Sequence, residues 1–198
     1  MSERKPSCAT SATSTRPPKV RLGEVCKEYT SRNKGGIIQT VFSVTNSKGF
    51  VPSTEYFNKE VFSKNLATYK VVKQGMFAYN PSRINVGSIG CYNDNDPVVV
   101  SPLYIVFSID ETKVDNRYLL AFLKSDVALA QVKNLTSGSV RDSLKFPAFC
   151  QLQLPLLPLG EQQRVTARLD RIYKIVVKRK AELAQLDQLV KSRFVEAA

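Results

Sequence analysis

Apolar residues over the last forty positions fall at Val165, Leu169, Ile172, Val176, Leu183, Leu186 and Val190, a 4-3-4-7-3-4 spacing. This is a heptad seam in which one position, Arg179, carries a charge. No proline follows Pro158 and no glycine follows Gly160. The spacing therefore predicts one uninterrupted helix over residues 158–198, about 55 Å long at the α-helical rise. An amphipathic helix lying on its own domain is one reading. A helix this long exceeds one wall of an ordinary core, and a seam for a second helix fits it better.

Upstream the pattern changes. Residues 1–19 are rich in Ser, Thr and Pro without periodicity and read as a flexible leader ending at Pro17-Pro18. From Val20 to residue 157 short β signals alternate with turn residues. Leu22 to Tyr29 reads as strand then turn, or as a single helical turn. Ile37–Val44, Tyr69–Val72, Met76–Tyr79 and Gln151–Leu154 read as strands, and Val98–Phe107 as two strands or one bulged edge. Asn46-Ser47-Lys48-Gly49 is a turn with glycine where positive φ is needed. Short helices are predicted over Glu55–Phe62, Val114–Leu123 (capped by Asp115 or Asn116) and Asp126–Lys133, with Pro158 in the first turn of the long one. The whole is an α/β chain of the α+β kind. A domain with a twisted mixed sheet spans 20–157, and the long helix 158–198 carries a coiled-coil seam for a partner helix.

Charge adds a partner class. The formal net charge is +12, divided as +3 over residues 1–19, +5 over 20–157 and +4 over 158–198. A positive balance spread over every segment suits a nucleic acid, whose phosphates release counterions when neutralised. Cys8, Cys26, Cys91 and Cys150 lie far apart and histidine is absent, which argues against a metal site and leaves free thiols in a cytoplasmic protein. No apolar run approaches a membrane span, and no signal-peptide core is present at the N-terminus.

Catalysis is poorly supplied. Without histidine no Ser-His or Cys-His pair exists. Tyr79-Asn80-Pro81-Ser82 is similar to the start of the Asn-Pro-Pro-aromatic motif of amino-methyltransferases, but its third and fourth positions differ. Gly87-Ser88-Ile89-Gly90 is too common a pattern to be a phosphate cradle alone. Contact with nucleic acid is better supplied. Tyr79, Asn80, Ser82, Arg83, Asn85 and Ser88 gather polar groups in one loop, Asn46 and Lys48 in a second, Ser139 and Arg141 in a third. Arg32 and Lys34 stand in a basic, glycine-containing stretch. Arg can clamp guanine and Asn adenine, while Ser and Lys hold phosphate oxygens.

The stretch Tyr69 to Gly90, YKVVKQGMFAYNPSRINVGSIG, resembles the core of a target recognition domain from the specificity subunits of type I restriction-modification systems. Ser137-Gly-Ser-Val-Arg141, the run LPLLPLGEQQRV from Leu154 to Val165, and the helix ending LVKSRF at Phe194 extend the resemblance over nearly all of residues 20–198. It implies a DNA-binding, non-catalytic subunit that reads part of a bipartite site and recruits modification (methyltransferase) and restriction (motor-nuclease) subunits. S-adenosylmethionine, ATP and Mg2+ are then expected only on those partners. Such subunits carry two recognition domains and two long helices, so one of each reads as half a subunit, natural or a fragment. The expected partner for the seam is a second copy, in a homodimer with antiparallel helices. Arg179 would then sit near the two-fold axis, with Glu182, Asp187 or solvent as its partner. An adaptor that pairs through the helix without reading DNA, and a piece of a fused methyltransferase, are the alternatives.

Overall fold

Alternation within one short strand, Phe77-Ala78-Tyr79, places two large rings on one side of the chain and a methyl group on the other, and the fold is built on that division. The computed structural model describes residues 17–56, 65–136 and 143–196. Most of the leader and residues 57–62 of the expected Glu55–Phe62 helix lie outside them.

Ten strands are described: β1 Lys19–Arg21, β2 Cys26–Glu28, β3 Phe42–Thr45, β4 Gly49–Pro52, β5 Lys70–Val72, β6 Phe77–Tyr79, β7 Ile89–Cys91, β8 Val98–Val100, β9 Ile105–Ile109 and β10 Gln153–Pro155. The α-helices are α1 Ser53–Tyr56, α2 Asn116–Leu123, α3 Asp126–Thr136, α4 Phe146–Phe149 and α5 Leu159–Glu196. A four-stranded sheet in the order β2-β9-β6-β7 is flanked by the ribbons β1-β10, β3-β4 and β5-β8. These ladders are all antiparallel, and a parallel element appears as the single bridge Val41–Val99.

One face of the central sheet carries Phe77, Tyr79, Ile89, Ile105 and Phe107, packed against α2, α3 and α4 through Leu119, Phe122, Val132 and Phe149. The rings of Phe77 and Phe107 stack at 5.1 Å, and those of Tyr79 and Phe149 at 5.0 Å. On the other face Ala78 and Val106 meet Val44, Val72, Val98 and Val100 from the flanking ribbons. Asp115 caps α2 by accepting hydrogen bonds from the Arg117 and Tyr118 amides.

Two local expectations change. The strand expected over Ile37–Val44 is confined to its second half, because Gly35 (φ 79°) and Gly36 (φ 65°) turn the chain. The Asn33 side chain then clasps both the amide and the carbonyl of Ile38. Ile89–Cys91 forms strand β7, and Gly90 is required there. A Cβ on it would stand 3.0 Å from the Phe50 ring and 3.3 Å from Gly49 Cα, where the β3–β4 ribbon crosses. At the N-terminal boundary, Lys19 already pairs with Pro155, and the Pro18 carbonyl accepts from the Leu156 amide.

The long helix is one element with two surroundings. At its base Gln162 is fully buried. Its carbonyl oxygen accepts from the Asp115 amide at 2.8 Å, and its amide nitrogen donates to Lys113 O at 2.9 Å and Leu157 O at 2.7 Å. Arg117 pairs with Asp170, and the Tyr118 hydroxyl donates to Pro155 O at 2.8 Å. Val165, the first seam position, packs partly on the domain core. Beyond Asp170, the seam residues Ile172, Val176, Leu183, Leu186 and Val190 are exposed, as is Leu169 just below them. Arg179 is held within the helix by Glu182 at 2.8 Å. Among the described residues no helix is long and apolar enough to cross a membrane.

Candidate nucleic-acid interface

Two of the loops singled out by their polar residues come together as one ridge. The first is the tip of the β3–β4 hairpin. Gly49 at φ 66° closes it, and the Thr45 hydroxyl donates to Gly49 O and accepts from the Lys48 amide. Asn46, Ser47 and Lys48 project from it exposed. The second joins β6 to β7. Asn80 initiates it, its side chain accepting from the Ser82 amide and its carbonyl from the Arg83 amide. Buried Ile84 anchors it, and Gly87 ends it at φ 81°. Ser82, Arg83, Asn85 and Val86 are exposed on its outer side.

Close contact locks the loops to each other. A Cβ on Gly87 would stand 2.9 Å from Asn46 Oδ1, and the φ of 81° at this position favours glycine. The Ser88 hydroxyl donates to Val44 O at 2.7 Å. From a third element, the last residue of the α2 region, Lys124 Nζ donates to Asn46 O at 3.0 Å. Burial lowers the pKa of Lys124 below the ordinary lysine value.

The expected contact residues divide accordingly. Asn46, Lys48, Asn80, Ser82, Arg83 and Asn85 are gathered on the ridge, with Asn80 half-buried. Tyr79 and Ser88 are turned inward and are not available to a ligand. Tyr79 is fully buried, stacked on Phe149, with its hydroxyl donating to Leu144 O, and burial raises its pKa. Ser88 spends its hydroxyl on the neighbouring ribbon. Arg32 and Lys34 are exposed on another stretch, tied to β5 by the Arg32–Lys70 bridge, and no hydrogen bond among the described residues joins them to the ridge. Ser139 and Arg141 lie outside the described residues. The flanks of their loop are placed. Leu144 N donates to Pro81 O, and α3, which leads into the loop, packs on the turn Ile84–Val86.

Sequence reasoning missed Lys124, which lies 78 positions from Asn46. Its one local signal was a lysine closing a helix, a common placement that says nothing of the hairpin it reaches. Chemically the ridge offers amides, hydroxyls and cations, the groups that meet base edges and phosphates. Among the described residues no three His, Cys, Asp or Glu side chains cluster to hold a metal ion.

A family model described as the type I restriction modification DNA specificity domain matches residues 18–187. The specificity subunit of the type I restriction enzyme EcoBI from Escherichia coli is 26% identical over 183 residues, covering 81% of this chain and 36% of that protein. The HsdS subunit from Thermoanaerobacter tengcongensis superposes with a TM-score of 0.62 at 18% identity, over 82% of this chain and 43% of that one. A chain from a structural study of complex assembly and conformational transition of the type I R-M system gives 0.59 at 19% identity, over 93% and 45%. These two likenesses show a shared fold. The chain spans under half the length of each of these relatives.

Proposed function

Since the chain belongs to the type I restriction modification DNA specificity domain family, we propose that the ridge built from the β3–β4 hairpin and the β6–β7 turn reads one half of a bipartite DNA sequence. The observation that carries this is the convergence of Asn46, Lys48, Arg83 and Asn85, from loops some forty positions apart, on one exposed edge held by Gly87 and Ser88. Arg83 and Asn85 supply the forked donors and the amide that discriminate guanine and adenine, and Lys48 supplies a phosphate contact. The fixed hydrogen bonds beneath them hold these side chains ready, so little loop ordering opposes binding.

The bare face of α5 supports the second half of the proposal. Leu183, Leu186 and Val190 expose more than half of their surface, and a heptad seam is buried by another helix. A second copy, antiparallel through this seam, presents two ridges and reads two symmetric half-sites. Methyltransferase and motor-nuclease subunits, carrying S-adenosylmethionine, ATP and Mg2+, assemble on this subunit in the cytoplasm and act on the site it selects. The same bare seam favours a second reading, an adaptor that pairs with another specificity subunit and reads nothing.

Selection of duplexes from a random pool by the full chain, with competitor DNA present, separates these readings. The expected product is a motif of two inverted half-sites at one fixed spacing, lost in the double variant Arg83→Ala, Asn85→Ala. A single half-site would remove the symmetric pairing and keep the DNA reading. Recovery of no motif would leave the adaptor.

A further inference from the structure

Beside the ridge, the β3–β4 hairpin, the segment after β7 and the end of α2 enclose a cleft of about 290 Å3. Its apolar wall is formed by Phe42, Phe50 and Tyr92, whose rings pack at 5.3 to 6.5 Å. Lys48 lines it from the hairpin, Lys124 from the helix, and Asp94 from the segment after β7.

Lys124 is the unusual member. It is half-buried, and an ammonium carries three N–H donors. The one acceptor it meets among the described residues is the neutral carbonyl of Asn46. No carboxylate forms an ion pair with it among those residues. A partly desolvated cation without an ion-pair partner carries a cost, and the lowered pKa has this same origin. An anion entering the cleft removes that cost and meets the Lys48 charge as well. The aromatic wall accommodates an apolar group attached to that anion, as a deoxyribose is attached to its phosphate.

We propose that this cleft seats one phosphodiester group of the DNA backbone between Lys124 and Lys48, and so fixes the hairpin tip in register with the bases. The inference rests on the DNA-reading function proposed above and names the contact that positions it. Phosphate contacts of this kind set orientation and leave sequence discrimination to other side chains. Because Lys124 also holds Asn46 O, the residue that grips the backbone is bonded directly to the loop that carries Asn46. Asp94 lies in the same cleft, and its charge opposes the phosphate. Its removal therefore carries a sign opposite to removal of the lysine.

The test is fluorescence anisotropy of the full chain on a labelled random-sequence duplex, titrated over a range of salt. Lys124→Met is expected to weaken binding and to flatten the slope of log Kd against log salt by about 0.9, the share of one phosphate. Lys124→Arg keeps the slope, and Asp94→Asn tightens binding several-fold. A folding defect cannot produce that last result, so the proposal stays exposed to test even where Lys124→Met melts early. Wild-type protein that binds no duplex would overturn the DNA reading itself. Wild-type binding with Lys124→Met and Asp94→Asn both unchanged, or both shifted in one direction, would overturn the cleft and leave the reading intact. Inorganic phosphate that displaces the duplex from the wild type, but not from Lys124→Met, at matched ionic strength would mark a free-anion site instead and equally overturn it.

Discussion

The base and the far part of α5 belong to the same helix and have opposite surroundings. At the base, Gln162 and Thr166 are buried, Val165 touches the core and Asp170 is paired with Arg117. Farther along, the apolar repeat continues with none of the described residues covering it. The heptad pattern runs through both parts without a break, so periodicity alone marks apolar positions and not the partner they meet. The difference shows that the helix is anchored to the domain at its base and that the described residues leave its far apolar face exposed.

The largest expected effect breaks the two regions apart. Phe149→Ala removes a ring that stacks on Tyr79 and tilts against Phe107 at 5.0 Å, and is expected to cost about 3–5 kcal/mol in urea unfolding followed by circular dichroism. Leu183→Lys in the same assay, at dilutions where the chain is monomeric, should shift stability by less than about 0.5 kcal/mol. It should abolish self-association in sedimentation. An equal loss of stability from both variants would mean that the far helix packs on its own domain.

A smaller effect sharpens the joint. Gln162→Leu keeps the side-chain volume and strands the Asp115 amide and the carbonyls of Lys113 and Leu157. The expected cost is about 1–3 kcal/mol in domain unfolding, with self-association unchanged. Loss of both properties together would make base and seam one cooperative unit.

The smallest effect is a pH dependence confined to the domain. Burial raises the thiol of Cys26 from 9.0 to about 12. The unfolded chain therefore releases this proton first as pH rises. The stabilisation is complete below pH 9 and is lost as pH climbs toward 12, by about 1 kcal/mol at pH 10. Cys26→Ala should flatten that fall in urea midpoint between pH 8 and 10, and an unaltered fall would assign it to other groups.

What could be read in advance followed from period and punctuation. The long helix, α2 with its Asp115 cap, and the hairpin turn at Gly49 were legible because each has a local cause within a few residues. The ridge was legible only in part. The polar residues after β6 do share one loop, yet three residues, Phe77 to Tyr79, are too few to show by period which face is inward. Tyr79 thus joined the contact residues although its ring is core. Strand β7 was hidden because two glycines, Gly87 and Gly90, carry turn signals. They are there to admit the Asn46 side chain and the Phe50 ring of another ribbon. Contacts between distant segments leave no mark in a local window, and Lys124 on Asn46 is one of them.

The joint at Gln162 also acts as the fulcrum of a lever. About thirty-four residues of helix extend beyond it, roughly 50 Å at the α-helical rise. A tilt of about 10° at the fulcrum would sweep the far end through roughly 9 Å, which is between two and three base-pair steps of DNA at about 3.4 Å each. The angular precision of the whole arm thus rests on the short joint of Gln162, Val165 and Asp170, at the end of the helix farthest from where any error would be read.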